Sequence, residues 1–243
     1  MTPTGINLVT GQPKPMQPIG TEKTGRGVHQ FTWRYSSTQE SRRYWDAVEG
    51  DKKVLPFRGH ARTPKSRWRN TAQGSPWPLY FTHQPEPSWR DRWLLEHEGE
   101  KCADVGAAAG YPSISQPGFN RRPEHIEPRY RELKSLVAGV VYLADNDKQG
   151  RTKAKEAQEA ADAVGLPLRV VHLVELFPDL PEKGAIDDVP DVAAAMAKIE
   201  GWLQQQQPEL TPKPLEALPE PEPPSQVALP ADETTGREEF TFD

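Results

Sequence analysis

The stretch Gly139-Val140-Val141-Tyr142-Leu143-Ala144 constrains the fold of this chain more than any other. It is uninterrupted, rich in β-formers and free of polar alternation, so it reads as a strand buried on both faces. Such strands belong to parallel sheets covered by helices, and the flanking segments fit that arrangement. Arg92 to His97 is a short apolar run that ends in polar residues and Gly99. Lys101 to Ala109 reads as an alanine-rich helix stopped by Gly110, Tyr111 to Ser115 as a weaker strand, and Glu124 to Leu136 as a helix. Gln149 to Val164 then places Ala154, Ala157, Ala161 and Val164 on one helical stripe, with Lys, Glu and Gln opposite. Gly165-Leu166-Pro167 breaks that helix, Leu168 to Leu173 gives a fourth strand, and Val189 to Trp202 a closing helix. Strand–helix alternation at this spacing predicts a small α/β domain with a parallel, Rossmann-like sheet over residues 87–205.

The flanks have a different texture. Hydrophobic residues make up only 35% of the 243, so part of the chain lacks the means to pack a core. Residues 1–25 are Pro-, Gly-, Thr- and Gln-rich and predict a flexible lead-in; residues 206–243 are acidic and proline-rich and predict a disordered tail. Between the lead-in and the α/β domain, residues 26–86 predict a small β-rich module, with strands around His29 to Tyr35, Lys53 to Arg58 and Pro78 to Phe81. A single cysteine, Cys102, excludes both a disulfide framework and a four-cysteine zinc ribbon. No run is long and apolar enough to span a bilayer, and the N-terminus lacks a signal-peptide pattern, so a cytoplasmic protein without a membrane partner is expected.

In open α/β sheets, ligands bind outside the carboxyl ends of the strands. Acidic clusters fall at three such places: Glu98 and Glu100 after the first strand, Asp145 and Asp147 after the strongest one, and Asp187 with Asp188 beyond the fourth. If the first and third strands lie side by side, Glu98 faces Asp145 and Asp147 across one short edge. Clustered carboxylates repel unless a cation neutralises them, and an oxygen-only set without His or Cys selects Mg²⁺, with Mn²⁺ as a substitute. An isolated Asp-x-Asp is common and is usually a solvated loop; here the order of strand, Glu-Gly, helix, strand, Asp-x-Asp, Gly, helix carries more weight.

Leu94 to Asp104, containing Glu98-Gly99-Glu100-Lys101, resembles the first motif of TOPRIM domains, above all those of phage- and plasmid-type DNA primases. Leu143 to Arg151, containing Asp145-Asn146-Asp147 and Gly150, resembles the second, and Gly184 to Val189 resembles the later acidic segment. The likeness spans residues 89 to about 202. It implies a TOPRIM fold in which Glu98 is general acid/base or metal ligand, Asp145 and Asp147 coordinate Mg²⁺, and Asp187 contributes as a third. It further implies a Mg²⁺-dependent primase-like nucleotidyltransferase, or a primase-derived replication protein, acting on single-stranded DNA with nucleoside triphosphates. A helicase or other replication protein would act in trans. With one cysteine the family's zinc module is not expected in these 243 residues, and neither is a helicase segment. A TOPRIM nuclease needs the same acidic residues, and a non-catalytic single-strand- or replisome-binding module remains the reading from another class.

Lys101 and Arg151 open helices beside the acidic residues and are candidates for phosphate contacts, a signature shared with ordinary solvated helix residues. The first third interleaves tryptophans with cations. Trp33 and Trp77 are expected in the core, and Trp68, within Lys65-Ser66-Arg67-Trp68-Arg69, is the candidate for stacking on a single strand, with Lys65, Arg67 and Arg69 on its phosphates.

Overall fold

The computed structural model describes residues 4–6, 13–15, 27–46, 50–59, 68–74 and 76–206. Most of the expected lead-in, the tail beyond Gln206, and Lys65 and Arg67 lie outside them. Within the lead-in, β1 (Thr4–Ile6) pairs antiparallel with β2 (Pro13–Pro15).

The front of the molecule is an antiparallel sheet of β3 (Val28–Ser36), β4 (Gln39–Asp46), β5 (Asp51–Arg58) and β6 (Arg69–Asn70), in that order. β4 has no apolar alternation because, apart from Tyr44, its buried residues are polar: Gln39, Glu40 and Ser41 are all enclosed. Such residues need partners inside the fold. Arg42 pairs with Glu40, Gln39 Nε2 donates to the Pro76 carbonyl at 2.9 Å, and Ser41 reaches Glu100.

The second sheet holds β7 (Tyr80–Phe81), β8 (Trp93–His97), β9 (Ser113–Ser115), β10 (Gly139–Ala144) and β11 (Leu168–His172) in the order β11-β10-β8-β9-β7. All pairs are parallel except β7 with β9. The Tyr80–Phe81 strand, expected with the front module, is therefore the antiparallel edge of this sheet. Residues of β8 and β10 alternate between two cores. Leu94, Val140 and Tyr142 face α2 (Pro123–Lys134) and α3 (Lys148–Val164); Trp93, Leu95, Val141 and Leu143 face α1 (Glu100–Ala108) and α5 (Val192–Gln206). A one-turn α4 (Leu173–Leu176) follows β11. Gly165 ends α3 in the left-handed region (φ 68°), the conformation that glycine adopts without a Cβ penalty. Among the described residues no helix is long and apolar enough to cross a membrane.

The chain leaves β8 through α1 toward β9, then returns through α2 past β8 to β10. The strand order thus reverses between β8 and β10, which is where a crevice opens at the carboxyl ends of the strands.

Candidate metal and phosphate site

Glu98 and Asp145 flank that reversal. His97 lies beside Leu143 in the parallel register, so the residues that follow leave the sheet together. Glu98 Oε1 accepts from the Asp145 backbone N–H at 2.9 Å, across a separation of 47 residues, and Oε2 pairs with Lys153 Nζ at 2.7 Å. The Glu98 side chain is only 5% exposed. Its close approach requires glycine at position 150: a Cβ there would sit 2.4 Å from the Asp145 carbonyl oxygen and 2.7 Å from Glu98 Oε1.

Asp147 is the N-cap of α3, with Oδ1 accepting from the Gly150 N–H at 2.6 Å. This satisfies one of the donors that a helix start leaves open. Between the two aspartates, Asn146 anchors the loop ahead of the last acidic turn. Its Nδ2 donates to the Leu180 and Pro181 carbonyls at 2.9 and 3.1 Å, and its backbone N–H to Gly184 at 2.9 Å. That loop delivers Asp187, in a 3-10 turn over Ile186–Asp188. Asp187 pairs with Lys101 and accepts from the Cys102 thiol at 3.2 Å. Burial alone would push its carboxyl up, but Lys101 and Cys102 hold it below the usual range.

Asp145 shows what these groups do together. Burial pushes its carboxyl up to about 8, and the negative charges of Glu98, Asp147 and Asp187 push in the same direction, against the Lys153 ammonium. The four acidic residues singled out from the sequence thus act electrostatically on one point. Each of the other three also has a protein partner, and among the described residues no set of three or more His, Cys, Asp or Glu is arranged to hold a metal as it stands. The donors are all oxygens, and burial and the neighbouring carboxylates, offset only in part by Lys153, disfavour the charged form of Asp145, which fits a hard divalent cation in chemistry and charge. Glu98 and Asp187 would have to exchange their lysines for it.

The other expected contacts separate. Lys101 is held by Asp187, while Arg151 is exposed on α3. Trp33 and Trp77 are core residues, at 4% and 1% exposure. Trp68 is half-buried: a Cβ on Gly59 would fall 2.4 Å from its ring, and the Arg42 guanidinium stands 5.7 Å from its centroid. Arg69 is exposed on β6.

Three features escape sequence reading. Glu100 is buried, and its Oε1 accepts from Tyr35 Oη at 2.7 Å and Ser41 Oγ at 2.6 Å. Asp104 accepts from Trp33 Nε1 at 2.8 Å and Tyr80 Oη at 2.6 Å. Through these two carboxylates α1 carries the front sheet. Finally, Glu96 lies fully buried beneath the acidic edge, accepts from Tyr130 Oη at 2.6 Å and faces Arg121 at 3.7 Å. Burial pushes its carboxyl above the usual range, against the pull of Arg121 and Tyr130.

No family model matches the chain, and no curated protein matches it. Among solved structures it is similar to DNA primase catalytic domains. The primase fragment of the bacteriophage T7 primase-helicase protein has 16% identity over 75% of this chain and 61% of that one, with a TM-score of 0.39. A DNA primase domain from Pseudomonas aeruginosa has 19% identity over 84% and 59%, with a TM-score of 0.44. The DnaG catalytic core has 19% identity over 79% and 56%, with a TM-score of 0.37. The chain spans about three fifths of the length of these structures.

Proposed function

We propose that this chain is a primase-like nucleotidyltransferase, or a replication protein derived from one, that acts on single-stranded DNA and nucleoside triphosphates with Mg²⁺ held by Glu98, Asp145, Asp147 and Asp187. The observation that carries this reading is the meeting of Glu98 with Asp145 at the β8/β10 strand-order reversal, in a setting where burial, joined by the charges of Glu98, Asp147 and Asp187, pushes Asp145 up to about 8. Such repulsion is a standing demand for positive charge. Mg²⁺ bound there would neutralise phosphate oxygens and favour ionisation of a 3′-hydroxyl. Glu98, when free of Lys153, is the group in place to accept a proton. Asn146, by tying the 180–184 loop to the Asp-x-Asp turn, keeps Asp187 facing the same point.

The decisive variant is Asp147→Asn. Asparagine caps helices as well as aspartate does, so the fold is preserved while one charge is lost. Incorporation of labelled nucleotide on a single-stranded template, together with Mn²⁺ binding followed by electron paramagnetic resonance, is expected to fall at least tenfold in this variant and in Asp145→Asn. Undiminished incorporation in either would overturn the assignment; Mn²⁺-dependent cleavage of labelled DNA without incorporation would make it a nuclease.

A specific observation favours a second reading, a non-catalytic single-strand- or replisome-binding module. Glu98 and Asp187 are already neutralised by lysines and Asp147 already caps a helix, so three of the four carboxylates have partners without an ion. On this reading Mn²⁺ does not bind and DNA affinity is indifferent to Glu98→Gln.

A further inference from the structure

We propose that Lys153 is a built-in counter-ion of Glu98, which a divalent cation has to displace, and that it thereby sets how tightly the acidic edge takes its metal. This rests on the reading of that edge given above, and gives a residue of α3 a part in it.

The two partners of this pair differ in freedom. Glu98 is fixed: its side chain is 5% exposed, Oε1 takes the Asp145 backbone N–H at 2.9 Å, and Gly150 closes against the same oxygen. Lys153 is the mobile one. Its side chain is 31% exposed, and its ammonium reaches Glu98 Oε2 at 2.7 Å on a flexible four-carbon stem. Both carboxylate oxygens therefore have donors, and only the ammonium can leave without moving the backbone.

The ammonium has somewhere to go. Lys153 lines an open cleft of about 320 Å³ together with Glu156, which lies on the same side of α3. Arg121 and Lys148 line it too, so the released ammonium stays solvated there and gains no second tight pair. Its charge is needed at the edge only while no cation is bound. Besides neutralising Glu98, it opposes the charges that Glu98, Asp147 and Asp187 exert on Asp145.

An ion pair with a partly exposed lysine adds little to stability, so the fold has small need of this one. What the pair changes is the competition at Glu98. A cation binds there only by breaking it, and the affinity observed is lowered accordingly. The exchange also selects by charge: a monovalent ion brings no more than the ammonium it replaces, whereas a divalent ion brings twice as much.

The test measures binding of Mn²⁺ alone, without nucleotide or DNA, to the full chain by electron paramagnetic resonance. Lys153→Met removes the ammonium and keeps an apolar stem, and Lys153→Arg keeps the charge. Lys155→Met controls for net charge, since Lys155 is 78% exposed on the same helix and faces Glu159. Lys153→Met is expected to bind Mn²⁺ roughly tenfold more tightly than wild type. Lys155→Met should match wild type within about twofold, because a solvent-exposed charge is screened. Lys153→Arg should bind no more tightly than wild type, since a guanidinium holds a carboxylate at least as well. An equal gain in Lys155→Met, or a gain in Lys153→Arg, overturns the proposal. Mn²⁺ bound by wild type with no gain, or with a loss, in Lys153→Met sinks the counter-ion role alone. Mn²⁺ bound by neither protein sinks the cation reading of the edge as well.

Discussion

The substitution Gly→Ala should have opposite effects at two helical positions in this protein. Gly201 lies inside α5 with nothing within 4 Å of where a Cβ would be, so alanine there gains helix propensity and meets no obstacle. The gain is up to about 1 kcal/mol. Gly150 is in the first turn of α3, and its Cβ would fall 2.4 Å from the Asp145 carbonyl oxygen and 2.7 Å from Glu98 Oε1. The first obstacle is backbone and cannot rotate away, so either α3 shifts or the Glu98–Asp145 contact opens. Overpacking of this kind costs roughly 2–3 kcal/mol, and the propensity gain offsets at most about 1. Gly150→Ala is therefore destabilising by about 1–2 kcal/mol and Gly201→Ala stabilising by up to about 1. Their melting temperatures should differ by roughly 5–10 °C, given about 2–4 °C per kcal/mol at this size. Thermal unfolding by circular dichroism measures both. A Gly150→Ala protein as stable as Gly201→Ala would refute the claim that the acidic edge is closed against the start of α3, and with it the geometry on which the proposed function rests.

Other perturbations follow from the same contacts. Asp104 is pushed by burial from 3.8 to about 6, so the folded state holds its proton more tightly than the unfolded chain does. Its contribution to stability is fully present below about pH 4 and lost as pH rises through 6, on the order of 2–3 kcal/mol. Urea unfolding of wild type minus Asp104→Asn should show that fall between pH 4 and 6, and a difference independent of pH would contradict it. Glu100→Gln keeps an acceptor for Tyr35 and Ser41 and should cost under about 1 kcal/mol, whereas Glu100→Ala strands both hydroxyls and should cost about 2–4 kcal/mol. Equal denaturation midpoints for the two variants would show that neither hydrogen bond ties α1 to the front sheet.

The α/β core is legible in the sequence because its signals are periodic and apolar. β10 has the run expected of a strand buried on both faces, and the Ala154–Ala157–Ala161 stripe is the buried face of α3. The adjacency of β8 and β10, needed to bring Glu98 to Asp145, also appears in the register. What escapes is polar. β4 buries Gln39, Glu40 and Ser41, so apolar alternation could not reveal it. Nothing in the sequence pattern singles out Lys153, which the fold sets on Glu98, or Arg121, which it buries beside Glu96. Glu100 and Asp104 sit within a motif that suggests chemistry, yet their oxygens take hydrogen bonds from the front sheet and from Tyr80. A carboxylate's spacing along the chain does not distinguish a ligand from a fastener; the donors that reach it do.

Those two fasteners determine how the protein can be cut. Dividing it near residue 86, where the texture of the sequence changes, would take Tyr35, Ser41, Trp33 and Tyr80 away from α1 in one step. The excised C-terminal piece would expose a helix bearing two stripped carboxylates, and that helix starts two residues after Glu98. Truncation would therefore damage the acidic edge from a distance, and an inactive fragment would say nothing about whether the missing strands touch DNA.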